Sequence, residues 1–299
     1  MSFQTAMMRL GGRTIGFDNP GNSSVAKGES LKDTIRVVSN YVDMIALRHP
    51  REGAAKAASL FSCCPVINAG DGGHLHPTQT ITDLFTLNET RGKLDGLTIG
   101  LCGDLKNGRT VHSLIKTMSR FKGNRFVLIA TSELTVPHYI CEVLKRNGCE
   151  YASSNSLLDS IGELDVLYMT RIQQERFASP EEFERQKGVF VLDAEKMRHA
   201  KRELCVLHPL PRVDEIDYEV DEDPRAVYFE QTKYGMFVRM ALILHMLDNA
   251  EAGLAPPPES NAAVNCRNPS CITNTERYLP HLFTKGAFDI CDYCDYEIE

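Results

Sequence analysis

No stretch of this sequence approaches the apolar length needed to cross a bilayer, and the opening MSFQTAMMRLGG lacks the continuous apolar core of a signal peptide. Neither a membrane nor a secretory destination is therefore expected, and the expectation is a cytoplasmic protein. Positive charge is also short. Against 40 Asp and Glu stand 33 Lys and Arg, a formal net charge of −7. That argues against a nucleic-acid partner, so an anion site would need locally clustered arginines rather than an overall basic field. There is no internal repeat.

What is present is an ordinary globular composition, 42% hydrophobic and 24% charged over 299 residues, enough for two domains and a substantial core. Ten cysteines could suggest a secreted disulfide protein, but their distribution points elsewhere. Cys63, Cys64, Cys102, Cys141, Cys149 and Cys205 are scattered through apolar stretches and read as buried free thiols. The other four crowd into the last 34 residues. Free thiols beside a separate metal-like cluster fit a reducing compartment.

From about residue 13 to 210, short apolar runs alternate with helical patterns. The expected strands are TIGF, MIAL, PVINA, LTIGLCG, RFVLIA, DVLYM and ELCVLH. Between them SLKDTIRVVSNY, HPTQTITDLFTLNETR and RTVHSLIKTMSRF carry a helical period. Such alternation indicates an α/β fold, with parallel sheets covered by helices. The opening reads as an amphipathic helix ended by Gly11-Gly12. Met236, Met240, Ile243, Leu244 and Leu247 are expected on one face of a long closing helix. After it, NAEAGLAPPPESNAAV (249–264) reads as a semi-rigid linker.

The tail spaces its cysteines as Cys266-x4-Cys271 and Cys291-x2-Cys294. Two close pairs on two turns supply four soft ligands for a tetrahedral zinc, and four thiolates leave no open position for catalysis. Two disulfides are the competing reading, which the reducing context disfavours. GDLKNGRTVHSL (103–114) follows a strand and opens a helix, a geometry that presents N–H groups to an anion; it is neither G-x-G-x-x-G nor a Walker A loop. AGDGGHLHPTQT (69–80) repeats the design, with Pro77 suited to a first helical turn and His76, Gln79 and Asp83 on one face. Arg48 in MIALRHP, Arg109, and Arg171 in YMTRIQQER each follow an apolar strand, where ligands collect in open α/β sheets. Arginine forks there suit phosphate or carboxylate oxygens, so a polyanionic substrate is expected. LHPLPRVDEID (207–217) leaves a strand through two prolines, beside His208, Arg212, Asp214 and Glu215.

MSFQTAMMRLGG, SSVAKGESLKDT, ALRHPREGAA, AGDGGHLHPTQT, GDLKNGRTVHSL, YMTRIQQER and LHPLPRVDEID together resemble the aspartate carbamoyltransferase family, in order and spacing across residues 2–247. The tail NCRNPSCIT…CDYC resembles the zinc domain of that family's regulatory chain, here fused to the catalytic chain. The resemblance implies two doubly wound parallel-sheet domains, the first incomplete, plus a small C-terminal zinc-bound β domain. Residues 1–77 would be the carbamoyl-phosphate-binding domain, completed by a helix at 235–250; 78–234 would bind aspartate; 251–264 would link to a zinc domain at 265–299. It implies transfer of a carbamoyl group from carbamoyl phosphate to L-aspartate, in pyrimidine synthesis, with one structural zinc per chain and no cofactor for catalysis.

By the same resemblance Arg48, His76 and Gln79 serve carbamoyl phosphate, with Arg48, His76 and Lys27 the catalytic groups. Arg109, Arg171 and Gln173 serve the aspartate carboxylates. Ser23 and Lys27 match a loop that reaches a neighbouring subunit's site, in a homotrimer or dimer of trimers. Leu210 and Pro211, across an expected cis bond, match a pair whose carbonyls hold the reacting amino groups. One departure stands out. The family's Ser-Thr-Arg-Thr-Arg phosphate motif precedes the helix matching Ser2–Met8, and here that helix begins at Met1. The expectation is that this chain alone is inactive, poorly soluble and carries an uncovered sheet edge. The alternatives are a non-catalytic assembly or regulatory subunit, or another carbamoyltransferase such as one for ornithine.

Overall fold

The structure, a computed structural model, describes residues 1–17, 27–173, 177, 179–250, 256–286 and 288–298. The chain forms two compact units: Met1–Thr78 with Met236–Glu299, and Gln79–Gly235. The first begins with α1 (Ser2–Arg9) and α2 (Leu31–Val38), followed by β1 (Ile45–His49), α3 (Ala54–Ser59) and β2 (Val66–Asp71). Helix α4 (Pro77–Arg91) leads into β3 (Thr98–Cys102), α5 (Arg109–Met118), β4 (Arg125–Ile129), α6 (His138–Arg146) and β5 (Glu150–Ser154). Then come α7 (Leu157–Ile161), β6 (Val166–Met169), α8 (Pro180–Gln186), α9 (Ala194–His199) and β7 (Cys205–Leu207). Helix α10 (Tyr228–Asp248) precedes the tail, whose short strands are β8 (Phe283–Thr284), β9 (Asp289–Cys291) and β10 (Glu297–Ile298).

In Gln79–Gly235 five parallel strands run in the order β5-β4-β3-β6-β7. Their period of two sorts side chains onto opposite faces. Ile99, Leu101, Phe126, Leu128, Val166 and Tyr168 join one buried cluster, with α5 residues such as Val111, Leu114 and Ile115. Cys102, Val127, Ile129, Leu167, Met169 and Val206 join the other, with Leu157 and Ile161 of α7 and Met197 of α9. Both faces are covered, so the central strands β3, β4 and β6 read as nearly continuous apolar runs. The chain steps outward from β3 to β5, then crosses back to place β6 on the other side of β3. That reversal opens a crevice beyond the carboxyl ends of β3 and β6.

In the first unit β1 and β2 pair in parallel, and α3 lies close because Ala54, Ala55, Ala57 and Ala58 are all buried. Ser30 caps α2, accepting the Asp33 N–H at 3.1 Å. The cysteine tail shares one core with these elements. Ile35, Ile45, Ala54 and Phe61 cluster with Cys271, Ile272, Leu279, Phe283 and Tyr293. Glu52 fastens the two: its N–H reaches the Ser270 carbonyl at 3.0 Å, its carbonyl accepts Ile272 N–H at 2.9 Å, and its carboxylate accepts the Asn268 amide at 2.6 Å. Gly53 has φ of +81°, and a Cβ there would lie 2.5 Å from that of Tyr293, so only glycine permits this approach.

Several expectations need correction. TIGF is not a strand: residues 13–17 have no regular secondary structure, and Ile15 and Phe17 are exposed. A strand exists only when paired, and none of the assigned strand pairs includes these residues. Leu244 is exposed although Ile243 and its neighbours pack against Ala6 and Ile67; the apolar stripe is one residue narrower than its letters imply. The closing helix starts at Tyr228, seven residues before 235. Of the six scattered cysteines only Cys102 and Cys205 are buried, and Cys63, in the turn after α3, is exposed. Strand β5, EYASS, carries no apolar run because it is an edge with half-exposed faces.

Candidate active site and metal centre

Within Gln79–Gly235 the crevice at the switch point is lined by the loops following β3 and β6. Gly103 takes φ of +118°, and a Cβ there would lie 2.2 Å from the Thr170 carbonyl oxygen. The two loops therefore meet through bare backbone. Asp104, fully buried, accepts the Asn107 N–H at 3.0 Å and also the N–H groups of Gln173 and Lys106. Burial raises its carboxyl above the ordinary range, and those hydrogen bonds pull against it. Asp104 thus ties the loop that leads into Arg109 to the loop carrying Arg171 and Gln173. Arg109 opens α5, and all three side chains are half-buried. His112, one turn into α5, donates Nε2–H to the Leu105 carbonyl at 2.8 Å and accepts the Tyr139 hydroxyl at Nδ1, 2.9 Å away. Burial holds its imidazole below the usual value.

Gln79 lies in the first turn of α4 and donates its amide to Asp83 at 2.7 Å. Leu210-Pro211 is a cis peptide, and Leu210 has φ of +46°. The loop bearing it surrounds a buried pair, His208 and Glu215, 2.6 Å apart. Glu215 is pushed up by burial, but the hydrogen bonds from His208 and the Val213 N–H outweigh this and leave it below the ordinary carboxyl range. Arg212, singled out by its charge, is engaged in a bidentate pair with Asp221 and stacks over the Tyr218 ring at 4.6 Å.

In the first unit Arg48 is exposed in β1, where the pairing register with β2 shifts between Leu47 and His49. His76 immediately precedes α4, half-buried, with Nδ1 3.5 Å from the Thr78 hydroxyl. The loop before it is pinned by buried Asp71, which accepts Gly53 N–H at 2.7 Å, the Asn68 amide at 2.9 Å and the His74 ring at 3.1 Å. Lys27 is exposed. Ser23 lies outside the described residues.

The sulfurs of Cys266, Cys271, Cys291 and Cys294 are buried and lie within 4.8 Å of one another. The Cys266–Cys294 and Cys271–Cys291 sulfurs are 3.6 and 4.0 Å apart. A disulfide would bring them to about 2.0 Å, whereas zinc–sulfur bonds of about 2.3 Å put the corners of a tetrahedron about 3.8 Å apart. Thr273 and Asn268 donate toward Cys271 and Cys294, as suits thiolate sulfur. The group fits a metal. Asp104, Asp83, Gln231 and the His208–Glu215 pair are positioning groups that the residue pattern did not assign to substrate. The charge cluster around the two prolines signalled His208 and Glu215, and the shared helix face with His76 and Gln79 signalled Asp83; Asp104 and Gln231 had no such signal.

Residues 1–89 match the family described as "Aspartate/ornithine carbamoyltransferase, carbamoyl-P binding domain", and residues 95–246 match "Aspartate/ornithine carbamoyltransferase, Asp/Orn binding domain". The aspartate carbamoyltransferase catalytic subunit of Clostridium perfringens is 61% identical over 251 residues, 84% of this chain and 82% of the relative. The catalytic subunit of M. jannaschii aspartate transcarbamoylase superimposes with a TM-score of 0.79 at 49% identity, covering 84% and 82% of the two chains. The Trypanosoma cruzi aspartate transcarbamoylase in complex with N-(phosphonacetyl)-L-aspartic acid gives 0.76 at 43% identity, covering 81% and 77%. No helix among the described residues is long and apolar enough to cross a membrane.

Proposed function

This chain belongs to the aspartate/ornithine carbamoyltransferase family, and from that premise we propose that it transfers a carbamoyl group from carbamoyl phosphate to L-aspartate. The observation that carries the choice of substrate is the pair of arginine-bearing loops at the ends of β3 and β6, joined through Asp104 and the Gln173 N–H. Two guanidinium forks and an amide suit the two carboxylates of aspartate. The relatives named for aspartate agree with this.

In this reading Arg109, Arg171 and Gln173 hold aspartate, and Leu210 and Pro211 offer carbonyl oxygens to the reacting amino groups. Arg48, His76 and Gln79 hold carbamoyl phosphate, joined by Ser23 and Lys27 of a neighbouring subunit in a homotrimer or dimer of trimers. The aspartate nitrogen attacks the carbamoyl carbon, the bond to the phosphate oxygen breaks, and a departing phosphate oxygen takes the amine proton. Arg48 and His76 stabilise the oxyanion that forms between those two events. The four cysteines hold one zinc, which supplies structure and no chemistry. Residues 1–77 with 235–250, 78–234 and 265–299 serve as the carbamoyl-phosphate, aspartate and zinc parts, in a cytoplasmic protein.

The test is carbamoyl-aspartate formation by the purified protein, with aspartate and with ornithine as the acceptor. Turnover with aspartate, abolished by Arg171→Ala, is expected. Turnover with ornithine instead, or none with either amino acid, would overturn the assignment.

A further inference from the structure

Among the buried polar side chains of Gln79–Gly235 that lie outside the substrate-binding set, four form one connected series. Asp83 is 0% exposed, Gln231 1%, His208 2% and Glu215 4%. Burying polar groups is costly unless each is matched to a partner, and here they are matched to one another in a fixed sense. The Leu210 N–H can only donate, so His208 Nδ1, 2.8 Å away, must accept. The ring proton is then on Nε2, which donates to Glu215 Oε1 at 2.6 Å. The other oxygen of Glu215 accepts the N–H groups of Val213 and Asp214 at 3.0 and 3.1 Å. One carboxylate and one imidazole thereby hold the inward-facing N–H groups of the loop carrying Leu210.

The same order continues toward α4. The His208 N–H donates to Gln231 Oε1 at 3.1 Å, which leaves Gln231 Nε2 to donate to Asp83 Oδ1 at 2.6 Å. That oxygen also receives Gln79 Nε2, at 2.7 Å. A carboxylate only accepts, so Asp83 fixes the direction of both glutamine amides, and the carbonyl oxygen of Gln79 faces away from it. Leu210 is left with its N–H spent inward and its carbonyl as the remaining backbone group.

We propose that Glu215, His208, Gln231 and Asp83 form a positioning relay for carbamoyl transfer, fixing the directions of the Leu210 carbonyl and the Gln79 amide. The proposal rests on the reaction assigned above. It makes His208 a positioning residue that acts through Leu210 and takes no part in proton transfer.

Two substitutions separate the halves of the imidazole. His208→Asn puts an acceptor near the place of Nδ1 and keeps the Leu210 bond; His208→Gln puts a donor near the place of Nε2 and keeps the Glu215 bond. In the enzyme, His208→Gln should lower kcat about 100-fold with KM for aspartate nearly unchanged, because misplacement at a distance costs about that much. His208→Asn should keep kcat within about tenfold of the parent, on the same reasoning about retained geometry. Equal kcat losses that follow the loss of thermal stability would overturn the relay, as would a change in KM alone. Amide exchange at Leu210 decides the matter without turnover: it stays slow in the Asn variant and becomes fast in the Gln variant. Equal protection in both overturns the relay even in an active enzyme. The split pattern in a protein that makes no carbamoyl-aspartate would refute the assigned reaction and leave the loop-fixing intact. Should either variant fail to fold, imidazole nitrogen spectra of the parent chain serve, with bare Nδ1 and protonated Nε2 expected and the reverse tautomer overturning the proposal.

Discussion

The five-stranded sheet of Gln79–Gly235 is covered on both faces by apolar clusters drawn from its own helices. The two-stranded sheet of the other unit is different: β1 and α3 share their core with the cysteine tail, more than 200 residues further along the chain. One unit builds its cores from its own apolar side chains. The other borrows a segment too small to make a core of its own, and that segment is organised around four sulfurs. Stability should therefore depend on metal in one unit and on side-chain volume in the other, and each dependence can be tested against its counterpart.

Metal removal should have the largest effect. Structural zinc contributes about 10–16 kcal/mol of apparent binding energy in small domains. Chelation, or Cys291→Ser, should abolish amide protection at Ile272 and Phe283 and weaken it at Ala54 and Ala57, while Leu101 and Phe126 stay protected. A tail that remains ordered without metal, or equal loss in both units, would break the contrast. The converse change is Leu101→Ala, which truncates a fully buried side chain in the five-stranded sheet. It should cost about 2–5 kcal/mol in the denaturation of Gln79–Gly235 and leave one zinc per chain by metal analysis. Lost zinc would show that the two cores are not independent.

The smallest effect concerns pH. Burial lowers the His74 imidazole, but Asp295 and Asp71, each 3.1 Å away, outweigh it and raise the pKa from 6.5 to about 9. A raised histidine stabilises fully below its unfolded value and loses that contribution as pH rises through its folded one. Protection of the tail, measured by exchange corrected for pH, should therefore fall between about pH 6.5 and pH 9, and His74→Gln should flatten the slope. Asp295 is half-exposed, so solvent screening keeps the effect modest. Metal loss by thiolate protonation runs the other way, toward acid, so the two slopes cannot be confused. A tail whose protection is unchanged across that range would remove His74 from the docking.

Local pattern was sufficient wherever a residue's role depends on its neighbours in sequence. The central strands β3, β4 and β6 announce themselves because burial on both faces requires apolar residues at every position. Arg109 and Gln79 could be assigned to helix starts because glycine and proline mark those starts chemically. The two cysteine pairs advertised a metal because close pairs suit tetrahedral thiolate ligation. TIGF failed because an alternating run becomes a strand only against a partner edge. EYASS went unseen because an edge strand can be polar. The tail's seat on Glu52 depends on Asn268, 216 residues away.

The sequence by itself determined the parallel α/β class, the helix starts that carry candidate ligands, and the sulfur set, each through spacing within a dozen or so residues. Tertiary structure alone decided which polar residues answer one another. Asp83 meets Gln231 across 148 residues, and Glu215 reaches the Leu210 N–H only through His208, which is turned toward both. Hydrogen-bond direction depends on where a donor and an acceptor are brought together in space, and a one-dimensional pattern of residue types carries no record of that.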